Sequence, residues 1–394
     1  MKAIMNTKLI MEEGIIFDGV LLFDKDKIIK LGRSKDIEIP EGTDIIDANG
    51  LYTAPGFIDI HNHGSKQYWF HENPLEVSRY FLKHGETTVL PTFYHNMSKE
   101  CMIESAEKIR EQSKIGAGKI MDGLYMEGPF MRFIGAHASQ LKWSGSVNKE
   151  DYEDLFSNFG DMVRVWAIDP DRENIESFMS YAKEHYPNTI FAHGHSLATS
   201  DSIRRVAHYG VRLRTHWGDS GRPKGRAQGT IGTGGDTFAI NEKDMYVELI
   251  VDEVGIHVTP DLVKLVIGAK GIDRVCLITD HTCPEKISCR NDAEAGIWFG
   301  PDLNYDDQGK LGGSLTTLDC CLRNVMTHTS CGLCAAVRMA SLTPAKLLGI
   351  DYRVGSLKPG KTANIILMDD TAKVHKVYLQ GELAAENGEL VNGF

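Results

Sequence analysis

What most restricts the fold of this chain is a long alternation of short apolar runs with amphipathic stretches. The runs are GFIDIH, TTVLPT, MDGLYMEGP, VRVWAI, NTIFAHGH, VRLRTHW, MYVELIVD and RVCLITD. Between them lie helix-patterned segments such as NPLEVSRYFLKHG, KECMIESAEKIREQ, ENIESFMSYAKEHYP and PDLVKLVIGAKG. A strand joined to a parallel neighbour needs a crossover, usually a helix, so sustained alternation of this kind predicts a parallel sheet. Eight such runs predict an α/β fold, a (β/α)8 TIM-like barrel, with its active site at the C-terminal ends of the strands.

Both ends of the chain read differently. Residues 1–52 and the stretch from Gly355 onward carry short strand patterns separated by turns, without helices between them. Neither segment alone buries both faces of a sheet. The expected organisation is therefore a small β-sandwich domain from residues 1–52 and 352–394, beside a barrel of residues 53–351.

In a barrel, polar groups at strand ends are the catalytic candidates. GFIDIH ends in His61, with His63 two residues on; MDGLYMEGP reaches Glu127; NTIFAHGH supplies His193 and His195. VRLRTHW reaches His216, the segment after MYVELIVD reaches His257, and RVCLITD ends in Asp280. The His-x-His pair by itself is equally compatible with two surface histidines, although residues i and i+2 of a strand share a face. So many metal-capable strand ends together point to a metal site. A His, Glu and His set suits a zinc-like divalent ion with an open position, and such an ion activates water and polarises a carbonyl. Asp280, delivered by the apolar run VCLIT, is placed to move a proton. The reaction class is metal-assisted hydrolysis of an amide or similar bond.

The formal net charge of −11 argues against nucleic acid as a partner, because that binding needs a basic footprint. The start MKAIMNTKLIMEEGII lacks a signal-peptide layout, no apolar run is long enough to span a bilayer, and the eight cysteines show no disulfide framework. A cytoplasmic protein with no membrane partner is expected. CGLC at 331–334 has no second Cys-x-x-Cys beside it and opens a helical run, so a structural reading is preferred over a redox one.

The motifs APGFIDIHNHG, MEGPF followed by GAH, GHS, TH, GRAQG, GIHVTP, ITD, LGGSLTTLD and the tail VRMASLTPAKLLGI together resemble the amidohydrolase superfamily. Within it, they resemble the branch that deacetylates N-acetylated amino-sugar phosphates. That resemblance implies Glu127, His195 and His216 as principal metal ligands, with His61 and His63 at the place of a second metal. It implies one or two divalent ions per chain, zinc foremost, and Asp280 as the catalytic acid and base. It also implies His137 and His257 as substrate contacts, Arg226 as the phosphate holder and a homodimer. His193 has no counterpart and is expected to pack or to support its neighbours.

Two loops depart from the family pattern. After His216 the chain reads WGDSGRPKGRAQG, so Trp217 and Asp219 occupy a place that grips sugar and phosphate, while Arg222, Lys224 and Arg226 form a basic patch suited to a phosphate. After His63 the chain reads GSKQYWFHENP, where Tyr68 and Trp69, with Trp217, either stack on a sugar ring or pack at the mouth. The expected substrate is an acetylated amino-sugar phosphate of the N-acetylglucosamine-6-phosphate type. Another N-acyl compound, such as N-acetylgalactosamine-6-phosphate, a different acetylated sugar or an N-acyl amino acid, is the alternative.

Overall fold

The structure is a computed structural model that describes residues 1–394 apart from 133–134, 137–141, 144–145, 222–232, 284–299, 307–308 and 392. Eight parallel strands lie side by side in chain order. They are β1 (Phe57–Asn62), β2 (Glu86–Tyr94), β3 (Leu124–Glu127), β4 (Val163–Ile168), β5 (Ile190–His193), β6 (Val211–Arg214), β7 (Tyr246–Ile250) and β8 (Val275–Ile278). The first and last meet at the C-terminal rim, where Asn62 bridges to His281 and the Asp280 amide donates to the His61 carbonyl at 2.9 Å. This is the expected barrel.

Its interior is filled by alternate side chains of successive strands, among them Ile58, Ile60, Leu90, Tyr125, Val165, Ala167, Leu213 and Ile278. Leu347, Ile350 and Val354 continue that cluster and plug the opposite end. A larger apolar layer, including Phe93, Met126, Trp166, Phe178 and Val247, fills the space between strands and outer helices. The helices begin where the sequence supplies caps. Asn73 accepts from the Glu76 amide ahead of Pro74, and Ser98 accepts from the Cys101 amide.

Strands from both ends of the chain form one further hydrogen-bonded sheet of nine strands. Tyr52–Pro55 joins the two halves, pairing parallel with Lys2–Ile10 and antiparallel with Ile365–Met368. Among the described residues no helix is long and apolar enough to cross a membrane.

Candidate metal centre

Strict alternation along β1 would put His61 on the same side as Phe57, which packs in the helix-facing layer, and opposite to Ile58 and Ile60 inside the barrel. The pairing register shifts between Asp59 and Asn62, and this irregularity re-aims the strand end. His61 then lies against Tyr125 of the interior, with ring centroids 4.4 Å apart. The other strand ends use a different device. His195, His216 and Asp280 all have left-handed backbone, with φ of 43°, 26° and 46°. Such conformations are costly for residues with a side chain and cluster at functional sites.

The result is a compact buried cluster. Glu127 Oε1 lies 2.8 Å from Nε2 of both His195 and His216, and those two nitrogens are 3.1 Å apart. The second oxygen, Glu127 Oε2, lies 3.0 Å from His63 Nε2. His63 Nε2 is also 3.2 Å from Asp280 Oδ1. His61 Nε2 sits 3.6 Å from Glu127 Oε1 and from Asp280 Oδ1, beyond hydrogen-bond range, and has no other partner among the described residues.

This donor set fits a divalent cation. Glu127, His195 and His216 converge as one group, and His61, His63 and Glu127 as another, with ligand atoms within 4.8 Å of one another in each. Two ring nitrogens facing one another at 3.1 Å crowd any protons they carry, and a cation beside the carboxylate resolves that contact. Glu127 is the residue shared by the two groups.

Electrostatics agree with the geometry. Burial pushes the Glu127 carboxyl up, but His195 and His61 beside it hold it well below the usual range. Burial likewise opposes ionisation of Asp280, and His61 and His63 outweigh it, so Asp280 is a carboxylate at neutral pH. Burial disfavours the charged form of His216, yet Glu127 raises it to about 9.

His257 is buried nearby. Its Nδ1 donates to Asp252 Oδ2 at 3.1 Å, and Nε2 lies 3.2 Å from the Gly313 carbonyl. Gly313 has φ of +73°, and a Cβ there would meet the Asp280 carbonyl at 2.5 Å, so glycine lets the antiparallel pair Leu303–Tyr305 and Leu311–Ser314 approach the strand end at Asp280. Trp69 is half-buried, its ring edge-on to His63 with centroids 6.2 Å apart. Of the two alternatives for Trp217, stacking and packing, the ring takes packing. It is 7% exposed, packs in the helix-facing core, and donates from Nε1 to the Asp236 carbonyl at 3.0 Å. That ring is committed to packing. Asp219 stays partly exposed at the mouth and accepts from the Ser220 amide at 2.6 Å. His193 faces Gly235 behind the strand, with both ring nitrogens unpartnered among the described residues, and burial followed by the charge of Arg214 keeps it neutral. His137, Arg222, Lys224 and Arg226 lie outside the described residues. In CGLC, burial raises both thiols, so neither is primed to react.

One residue at the site escaped the sequence reading. Glu248 of β7 is fully buried, and its Oε2 accepts from His61 Nδ1 at 3.1 Å and from the His216 amide at 3.0 Å. It orients one histidine and anchors the backbone of another, the arrangement that fixes tautomer and ring direction in metal-binding histidines. The signal was present: a carboxylate in the middle of the apolar run MYVELIVD is rarely buried without a partner.

A barrel that gathers histidines and carboxylates at its rim defines a metal-dependent hydrolase of the amidohydrolase type. The chain belongs to the amidohydrolase family, whose model matches residues 171–384. Among characterised proteins it is similar to the N-acetylglucosamine-6-phosphate deacetylase of Haemophilus influenzae, at 27% identity over 88% of this chain and 90% of that one. It is also similar to the N-acetylgalactosamine-6-phosphate deacetylase of Escherichia coli, at 26% identity over 88% and 91% of the two chains. Among solved structures it resembles N-acetylglucosamine-6-phosphate deacetylase from Pasteurella multocida, with a TM-score of 0.83, 25% identity, and 98% and 100% coverage.

Proposed function

We propose that this protein is a metal-dependent deacetylase of N-acetylglucosamine-6-phosphate type, releasing acetate and the amino-sugar phosphate. The observation that carries the reading is the shared carboxylate of Glu127, bonded by His63, His195 and His216 and faced by His61, with Asp280 beside it. Similarity to deacetylases over nearly the whole chain supports the substrate class.

In this reading Glu127, His195 and His216 hold the principal ion, zinc being the best match to the ligand types, and His61 and His63 with Glu127 hold a second. A bound ion supplies Lewis acidity toward water and the acetyl carbonyl. Asp280, kept as a carboxylate by His61 and His63, takes the proton of the attacking water at Oδ1 and passes it to the departing amine nitrogen. His257, oriented by Asp252, contacts the acetyl group. Burial around the cluster excludes competing water. Asp219 bonds sugar hydroxyls, while His137 and Arg226 take their family roles toward carbonyl and phosphate. Trp217 supports the loop rather than the substrate. Residues 1–52 and 352–394 act as one β domain flanking a barrel of 53–351, and the protein works as a cytoplasmic homodimer.

The test is acetate release by the zinc-loaded protein from N-acetylglucosamine-6-phosphate, N-acetylgalactosamine-6-phosphate and unphosphorylated N-acetylglucosamine. The first is expected to give the highest kcat/KM, and the sugar without phosphate at least a tenfold lower one. Equal turnover of the unphosphorylated sugar would remove phosphate from the assignment, and turnover of none would remove the deacetylase reading.

A further inference from the structure

We infer that the base of the barrel carries a second binding site, for a small, multiply charged phosphate ester. A cavity of about 400 Å3 opens under the starts of β4, β5 and β6, at the ends opposite the metal cluster. Ile190, the first residue of β5, lines it, whereas His195 stands just beyond the other end of that strand. At the strand rise of about 3.3 Å per residue the two places are roughly 15 Å apart.

Its lining is the reverse of the whole chain's charge. The sequence has 54 acidic against 43 basic residues, yet the cavity is lined by Arg164, Lys183, Arg212, Lys346 and Arg353 and by no carboxylate. Arg353 is paired with Asp122 at 2.6 Å, and Lys346 lies 4.0 Å from Asp273. Among the described residues Arg164 donates only to the Asp122 carbonyl, at 3.0 Å. Among the described residues, Arg164, Lys183 and Arg212 form no ion pair, so three cations share one concavity without a counter-charge. Such crowding is unfavourable unless an anion balances it.

A second, independent observation points the same way. Thr189 lines the same cavity and is 8% exposed, and its hydroxyl is buried without a hydrogen-bond partner among the described residues. An unmet buried hydroxyl is costly, and a ligand oxygen at that spot satisfies it.

The ligand class follows from the groups. Guanidinium forks match the paired oxygens of phosphate, and lysines add point charges. The volume lies at the small end of ligand pockets, about 300–1,000 Å3. Three uncompensated cations in that space, with two more already paired beside them, favour a compact molecule with two or more negative charges over a monoanion.

Calorimetric titration with fructose 1,6-bisphosphate tests the site, because this probe carries two phosphates. Lys183 and Arg212 are both exposed, so Lys183→Gln/Arg212→Gln is expected to fold normally and to retain deacetylase activity. The double variant should bind the probe at least tenfold more weakly than wild type, and Arg164→Gln should weaken it as well. Glu127→Ala, which disables the metal cluster, should bind the probe as wild type does. Inorganic phosphate should bind more weakly than the bisphosphate, and affinity should fall with added salt. Equal affinity in wild type and the double variant overturns the proposal, as does binding lost in Glu127→Ala, no binding of the probe, or inorganic phosphate binding as tightly as the bisphosphate.

Discussion

Glu86 and Glu127 stand on adjacent barrel strands, 0% and 1% exposed, and ionise in opposite directions. Glu127 ends β3 among imidazoles and is held well below the ordinary carboxylate range despite its burial. Glu86 begins β2 at the other end of the barrel. There burial, and then the nearby carboxyl of Asp59, push it well above that range. Its Oε1 accepts from the Leu318 amide at 2.9 Å, and Oε2 has no partner. Burial is therefore neutral as to function. What sets Glu127 apart is the group of imidazoles that the strand ends gather around it, whereas Glu86, lacking them, favours its proton and ties the start of β2 to the helix Leu318–Thr329.

The largest effect that would sharpen this contrast is expected from Glu127→Ala. It removes the carboxylate shared by both ligand groups, so metal content should fall to background and turnover should be lost, as judged by elemental analysis and acetate release. Retained metal would break the comparison outright. Asp280→Asn comes next: turnover should fall by about a hundredfold to ten-thousandfold, the usual worth of general acid–base catalysis, with metal content little changed. A loss of only a few fold would reduce Asp280 to a strand-end tether. Glu248→Gln should weaken metal binding by about 10- to 100-fold, as loss of a histidine-orienting partner typically does, read by chelator competition.

The smallest effect belongs to Glu86. Its folded carboxyl keeps a proton that the unfolded chain has already released, so native stability declines as pH rises from about 4.5 through the raised folded value. Glu86→Gln keeps the shape and the acceptor and removes that dependence. It should match wild type near pH 4.5 and become the more stable protein at higher pH, by about 0.5–2 kcal/mol, the usual size of a stabilising substitution. Denaturant unfolding at several pH values reads this, and a variant that falls below wild type in stability as pH rises would mean that Glu86 is ionised in the folded protein.

The barrel was legible because strands buried on both faces read as apolar runs, and all eight runs from GFIDIH to RVCLITD are strands. Glu127, His195, His216, His61, His63 and Asp280 were legible because ionisable groups ending such runs have few structural uses. Their assembly was not. Sequence parity along β1 puts His61 on the wrong face, and only the register shift corrects it. Nothing in GHS, TH or ITD signals the left-handed backbone that turns His195, His216 and Asp280 inward. For Trp217 the sequence leaves stacking and packing open because aromatic type alone carries no direction, and Asp236 and the core claim the ring.

The most direct test of the central claim is anomalous diffraction at the zinc edge from crystals of the zinc-loaded protein. The account predicts a peak about 2.0–2.2 Å from Glu127 Oε1, His195 Nε2 and His216 Nε2 together, the distances of zinc to carboxylate and imidazole ligands. A second peak, where present, should lie against His61, His63 and Glu127 Oε2. A zinc peak elsewhere in the molecule, with these three atoms left unligated, would contradict it.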